Sequence, residues 1–66
     1  MFNPPKLGEK IIVYNINYVD HPTVSKCQWI EHEYRWLIEL DWKQFGKSKV
    51  YDYQEGEIWR KHKNVN

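Results

Sequence analysis

The stretch Tyr34-Arg35-Trp36-Leu37-Ile38-Glu39-Leu40-Asp41-Trp42 has the clearest periodicity in the chain. Large apolar side chains occupy every second position, at Tyr34, Trp36, Ile38, Leu40 and Trp42. The intervening positions hold Arg35, Leu37, Glu39 and Asp41. Successive side chains of a β-strand point to opposite faces, so this period of two predicts a strand with one buried face. We expect Trp36 in the core, because it shares that face with Ile38 and Leu40.

Four further segments have the β-branched and aromatic composition of strands. They are Glu9 to Tyr14, Thr23 to Glu31, Lys49 to Tyr53 and Glu57 to Lys61. A polar, irregular segment, 15–22, separates the first two. The link His32-Glu33 lacks the residues of a tight hairpin turn, which predicts a longer turn at the expense of a strand end. Gly46 favours a turn before the fourth strand, and residues 54–56 form a short link that is suited to one turn of 3₁₀ helix.

This order of elements predicts an all-β domain, a five-stranded SH3-like barrel. Closing short strands into a barrel removes their exposed edges. An OB-fold also has five strands but usually places a helix between the third and fourth, and no helical segment is available here. We expect an extended N-terminal arm at 1–6, because Pro4 and Pro5 fix the backbone. The barrel then spans 7–61, and 62–66 forms a frayed tail.

The composition excludes the disulfide bonds and metal sites that commonly stabilise small domains. The 66 residues include a single cysteine, Cys27, so no internal disulfide can form. The three histidines are far apart and lack zinc-site spacing, so we predict no metal and no cofactor. Four Trp, five Tyr and two Phe must supply stability through packing. Ten basic and nine acidic residues give a net charge of +1, unlike a strongly basic nucleic-acid module.

The sequence also predicts an intracellular, non-enzymatic protein. It contains no apolar run of about 18 residues, so we expect no membrane partner. Residues 1–6 have no apolar signal core, and a free cysteine without an export signal favours the cytoplasm or nucleus. Glu31, His32 and Glu33 are adjacent, so their side chains are not expected to converge as a catalytic pair. No nucleophile with its base and no glycine-rich phosphate loop is present.

Two stretches resemble the Tudor and chromo-barrel families of SH3-like modules. Leu7-Gly8-Glu9-Lys10-Ile11-Ile12-Val13-Tyr14 looks like their opening strand, and 34–42 resembles the third strand of chromo-barrel domains. Ser48 to Arg60 fits the last two strands and the short 3₁₀ link. The resemblance implies an aromatic cage at one barrel end that holds a methylated lysine, since aromatic faces attract ammonium groups.

The match to this cage is partial. Trp42 matches the family's tryptophan after the third strand. Tyr14 or Tyr18 could match the aromatic near the end of strand one, and Phe45 lies close to where the family places a second tryptophan. Leu40 stands where the cage has an aromatic residue, and Asp41 replaces a glycine. The resemblance therefore implies an incomplete cage.

The leading hypothesis is a module that binds a protein or peptide through aromatics at the barrel end. The predicted site comprises Tyr14, Tyr18, Trp42 and Phe45. The competing interpretation is that each aromatic side chain packs in the core of a small barrel. For Trp42, core packing and ligand contact are evenly balanced. A different possibility, which involves no separate ligand, is that the chain forms a homodimer or is a subunit of a larger assembly.

The alternative ligand is nucleic acid, bound through lysines for phosphate and aromatics for base stacking. This set comprises Lys43, Lys47, Lys49, Tyr51, Trp59 and Lys61. Trp59 has the parity opposite to Ile58, so Trp59 points outward if Ile58 is buried. The competing interpretation is that lysines beside strands keep a solvated edge from aggregating.

Overall fold

Five strands form within residues 2–14 and 21–62, the part of the chain that the computed structural model describes. They are β1 (Ile11–Val13), β2 (Thr23–Ile30), β3 (Arg35–Asp41), β4 (Lys47–Tyr51) and β5 (Trp59–Lys61). Single 3₁₀ turns at Glu31–Glu33, Lys43–Phe45 and Asp52–Gln54 link β2 to β5. These described ranges contain no α-helix. The predicted all-β class with five strands is thereby confirmed.

Turns take over the ends of several predicted strands. Tyr34 adopts a left-handed conformation (φ 54°, ψ 46°) and caps the first 3₁₀ turn, so β3 starts one residue later than predicted. The longer turn expected between β2 and β3 is confirmed, because β2 ends at Ile30. β4 runs from Lys47 to Tyr51, two residues earlier than predicted. It ends there because the Tyr51 amide donates to Gln54 Oε1 at 2.9 Å, which starts the next turn.

The strands form two antiparallel sheets, β1-β5 and β2-β3-β4. In the larger sheet Cys27 pairs with Ile38, and Ile38 with Val50. The register shifts between Val24 and Lys26, as at a β-bulge. An antiparallel bridge between Lys10 and Thr23 connects the start of β1 to the start of β2.

The core lies between the two sheets, since each of the five strands contributes to it. Its buried members are Ile11, Val24, Ile38, Leu40, Val50 and Trp59. Ile38 and Leu40 are fully buried, as the period of two in β3 predicts. Trp36 has the same parity but is only partly buried and is not a member of this core, so the expectation that it is a core residue is wrong.

The position of Trp59 corrects its inclusion in the predicted nucleic-acid-binding set. Trp59 is 0% exposed, whereas Ile58 is 42% exposed, the reverse of the arrangement that would turn Trp59 outward. The Trp59 indole donates from Nε1 to the carbonyl oxygen of Tyr51 at 2.8 Å. A buried indole N–H requires such a partner, so this bond permits the largest side chain of the core to lie inside.

Candidate functional site

A pocket of about 210 Å³ lies beside the turn that follows β3. It is lined by His21, Trp42, Lys43, Gln44 and Phe45. The Trp42 amide donates to the carbonyl of Gly46 at 2.8 Å and closes the turn. The Lys43 amide donates to Asp41 Oδ1 at 2.8 Å, and Lys43 has φ 59°, a conformation that is uncommon outside glycine. These contacts fix the backbone along the floor and rim of the pocket.

The two aromatic residues of the pocket have different exposures. Trp42 is 8% exposed, and its Nε1 donates to Ser48 Oγ at 2.6 Å, so it is a buried floor of the site. Phe45 is 57% exposed and is the aromatic side chain that a ligand can reach. Tyr18, the third aromatic predicted here, lies outside the described residues.

Tyr14, the fourth predicted member, lies at the far end of β1. Its amide donates to the carbonyl of Ile58 at 2.8 Å. The start of β1 is the end close to the pocket, because Lys10 bridges Thr23 and Thr23 pairs with Asp41. Four residues of extended chain span about 13 Å. Strand pairing therefore separates Tyr14 from the pocket instead of bringing it there.

The outer face of the larger sheet collects part of the alternative, nucleic-acid set. Side chains in β4 alternate, and Val50 between them is buried, so three of the predicted residues share the outer face: Lys47, Lys49 and Tyr51. Carboxylates are interleaved with these lysines. In the strand register, Glu39 lies opposite Lys26 of β2 and Lys49 of β4, and Asp41 lies opposite Lys47. The face therefore offers phosphate contacts but only a small excess of positive charge.

An arginine that sequence reasoning missed completes this face. The Arg35 guanidinium carbon lies 3.9 Å from the centroid of the Tyr51 ring, and Tyr51 stacks on Tyr53 at 5.9 Å with an interplanar angle of 10°. Arg35 Nε donates to Glu33 Oε1 at 2.5 Å, and this bond raises the pKa of the guanidinium. Tyr53 is 64% exposed. A base would therefore find Tyr53 more accessible than Tyr51, which the arginine covers.

Three other residues of the alternative set do not join the outer face. Trp59 is fully buried and cannot stack on a base. Lys61 lies near Cys27, where burial raises the pKa of the thiol and the charge of Lys61 opposes that effect, and Cys27 is on the core side of its sheet, opposite Ile38. Lys43 belongs to the pocket turn. The predicted lysine and aromatic set is thus divided among three regions.

Cys27 has the packing expected of a small, half-buried filler, since it lies against the core. Burial raises the pKa of the thiol, and the nearby Lys61 opposes this effect. The thiolate is the reactive form, so at neutral pH iodoacetamide should modify Cys27 more slowly than it modifies the urea-unfolded chain. The rate in the folded protein should rise at a higher pH than in the unfolded one.

The variant Lys61→Gln tests the direction of this shift. Without the positive charge, the thiol pKa should rise further and alkylation at a fixed pH should slow again. Equal rates in folded and unfolded chains across the pH range would show that Cys27 is not shielded.

Other site chemistry is not indicated by the described residues. Among them, no group of three or more His, Cys, Asp and Glu side chains could hold a metal ion. No helix in the same ranges is both long and apolar enough to cross a bilayer. Comparison of the chain with protein-family models, curated proteins and solved structures finds no match.

Proposed function

We propose that this protein is a non-enzymatic interaction module of the SH3-like barrel type, which binds a protein or peptide inside the cell. The observation that supports this most directly is the exposed Phe45 ring beside a pocket of about 210 Å³ whose floor is Trp42. Aromatic side chains in desolvated pockets concentrate interface energy. A ligand side chain that enters the pocket can cover Phe45 without any rearrangement of the core.

Backbone pairing supports the barrel part of the proposal. Beyond the bridge from Lys10, the Gly8 amide donates to the Val24 carbonyl at 2.8 Å, and the Val24 amide donates to the Glu9 carbonyl at 2.9 Å. These bonds join the smaller sheet to one edge of the larger. A closed barrel would protect the remaining edges, which would otherwise be able to pair with other chains.

The charges around the pocket favour a ligand that is not cationic. Lys43, His21 and Gln44 contribute hydrogen-bond donors, and none of the described residues that line the pocket carries a carboxylate. A positively charged ligand would meet like charge at Lys43. Leu40 is fully buried and adds no aromatic ring to a cage. We therefore expect weak or no preference for trimethylated over unmodified lysine.

The variant Phe45→Ala tests the pocket. Peptides selected by display on the wild-type domain serve as probes, and a histone-tail peptide in unmodified and trimethyl-lysine forms tests the cage. Phe45→Ala should weaken the selected peptides at least about tenfold, or about 1.4 kcal/mol. Its melting temperature should stay close to that of the wild type, because the ring is mostly exposed. Calorimetric titration and thermal melts provide the two measurements.

The matched control is Tyr53→Ala, which removes an exposed ring on another face and should leave peptide affinity unchanged. Equal affinity of the wild type and Phe45→Ala would reject the pocket. Failure of the selection to return any peptide would reject peptide binding. A clear preference for trimethyl-lysine would overturn the expectation from Lys43 and Leu40.

Single-stranded nucleic acid is the second candidate ligand, favoured by the shared outer face of Lys47, Lys49 and Tyr51. Neutralised phosphates release counterions, so any binding should weaken as salt rises. Because carboxylates are interleaved with the lysines, we expect the affinity to fall only gradually as the salt concentration rises. Lys49→Gln should reduce both the affinity and its salt dependence, whereas Lys10→Gln, at an exposed lysine just before β1, should change neither. Absence of detectable binding to DNA and RNA at low salt would exclude this candidate.

A further inference from the structure

A second aromatic surface lies at the other end of β3, under the N-terminal arm. We call it the tryptophan shelf, formed by Trp29, Trp36 and Trp59. Trp29 and Trp36 are opposite each other in β2 and β3, with ring centroids 5.9 Å apart at 62°. The centroid of the Phe2 ring lies 6.4 Å from that of Trp36 and 6.2 Å from that of Trp59, and the Phe2 and Trp59 rings meet edge to face. The arm thus places one aromatic side chain on two members of the shelf.

Side-chain packing holds the front of the arm in this position. Residues 2–6 belong to no strand, and Pro4 and Pro5 have no amide hydrogen to donate to a sheet. The rear of the arm is fixed by a turn, in which the Lys6 amide donates to Glu9 Oε1 at 2.9 Å. Phe2 is partly buried against the core and Pro5 is buried. The shelf therefore accepts an extended, proline-containing segment that presents an aromatic ring.

The arm does not cover the whole shelf. Trp29 remains 43% exposed beside Trp36, although it is on the same face of the sheet. A segment with an aromatic ring at the position of Phe2 and a further apolar side chain over Trp29 would bury more surface than the arm does. Such a segment gains contacts that the arm cannot make, and this favours exchange.

We propose that the tryptophan shelf is a peptide-binding surface, covered by Phe2, whose ligand is an extended segment of a partner protein with an aromatic residue ahead of prolines. The surface is distinct from the Phe45 pocket, because Trp36 and Trp42 are six residues apart along the chain, about 20 Å if fully extended. The tethered arm competes at an effective concentration in the millimolar range. Free ligand therefore binds weakly until the Phe2 ring is displaced or removed.

The variant Phe2→Ala of the full chain tests this proposal. The probe is the synthetic peptide Phe-Asn-Pro-Pro-Lys, blocked at both ends, and tryptophan fluorescence with amide chemical shifts reports binding. The probe should bind Phe2→Ala at least about tenfold more tightly than the wild type and should raise the melting temperature of the variant. The peptide Ala-Asn-Pro-Pro-Lys should do neither. Adding Phe45→Ala to the variant should leave binding unchanged, which separates this surface from the pocket.

Several outcomes would overturn the proposal. Equal affinity for wild type and Phe2→Ala, or no binding to either, would show that the shelf does not accept a ligand. If Phe2→Ala does not fold alone, restoration of the folded spectrum by the probe supports the proposal, and failure to restore it contradicts the proposal. Sedimentation of the wild type as a dimer that Phe2→Ala dissociates would identify a second copy, through exchanged arms, as the occupant instead of a partner protein.

Discussion

Replacing Trp59 with alanine should leave the domain largely unfolded at room temperature. The side chain is fully buried, and truncation of a large buried aromatic costs about 3–5 kcal/mol. The Tyr51 carbonyl would also lose its indole donor, a further loss of about 1 kcal/mol. A domain of this length has a total stability of roughly 3–10 kcal/mol. Urea unfolding followed by circular dichroism measures the effect.

Two comparison variants separate the contributions of ring and hydrogen bond. Trp59→Phe keeps most of the apolar bulk and loses the donor, so its unfolding midpoint should lie between those of the wild type and Trp59→Ala. Trp29→Ala removes a ring that is 43% exposed and should cost much less. A Trp59→Ala variant with an unchanged midpoint would show that Trp59 is not the centre of the core.

The fold was predictable where a strand is long enough to show its period. Along β3 the alternation extends over seven residues, and Ile38 and Leu40 are buried as it predicts. β5 has only three residues, and the Ile58 amide still donates to the Gln54 carbonyl of the preceding turn at 2.9 Å. Ile58 is therefore not part of the alternating strand. The opposite orientation of Ile58 and Trp59 holds, but Ile58 is the exposed member of the two, and the sequence pattern alone did not show which of them lies in the core.

The candidate surfaces were predictable only within a single strand. Lys49 and Tyr51 are two residues apart in β4, so their common face follows from the sequence. The stacking of Arg35 on Tyr51 depends on the register between β3 and β4, and the contact of Phe2 with Trp36 depends on the path of the arm. Neither contact leaves a local signal in the sequence, because each joins segments that are distant along the chain.

Replacing Trp42 with alanine should destabilise the domain as well as alter the pocket. At 8% exposure the ring is packed as a core residue, so we expect a loss of about 3 kcal/mol in the free energy of unfolding. Trp42→Phe loses the bond from Nε1 to Ser48 but keeps a ring, at a cost of about 1 kcal/mol. Phe45→Ala, on a ring that is 57% exposed, should cost less than Trp42→Ala.

Urea unfolding of these three variants, measured beside titrations with the selected peptides, distinguishes the floor of the pocket from its contact residue. Trp42→Phe should retain most of the peptide affinity, because in the proposed site Phe45 makes the direct contact, whereas Phe45→Ala should lose it with little change in stability. The opposite ranking, with Trp42→Ala as stable as Phe45→Ala and unable to bind peptide, would place Trp42 on the contact surface. In that case the ligand would have to reach the indole beneath the rim, and the pocket would be deeper than the packing of Trp42 against Ser48 implies.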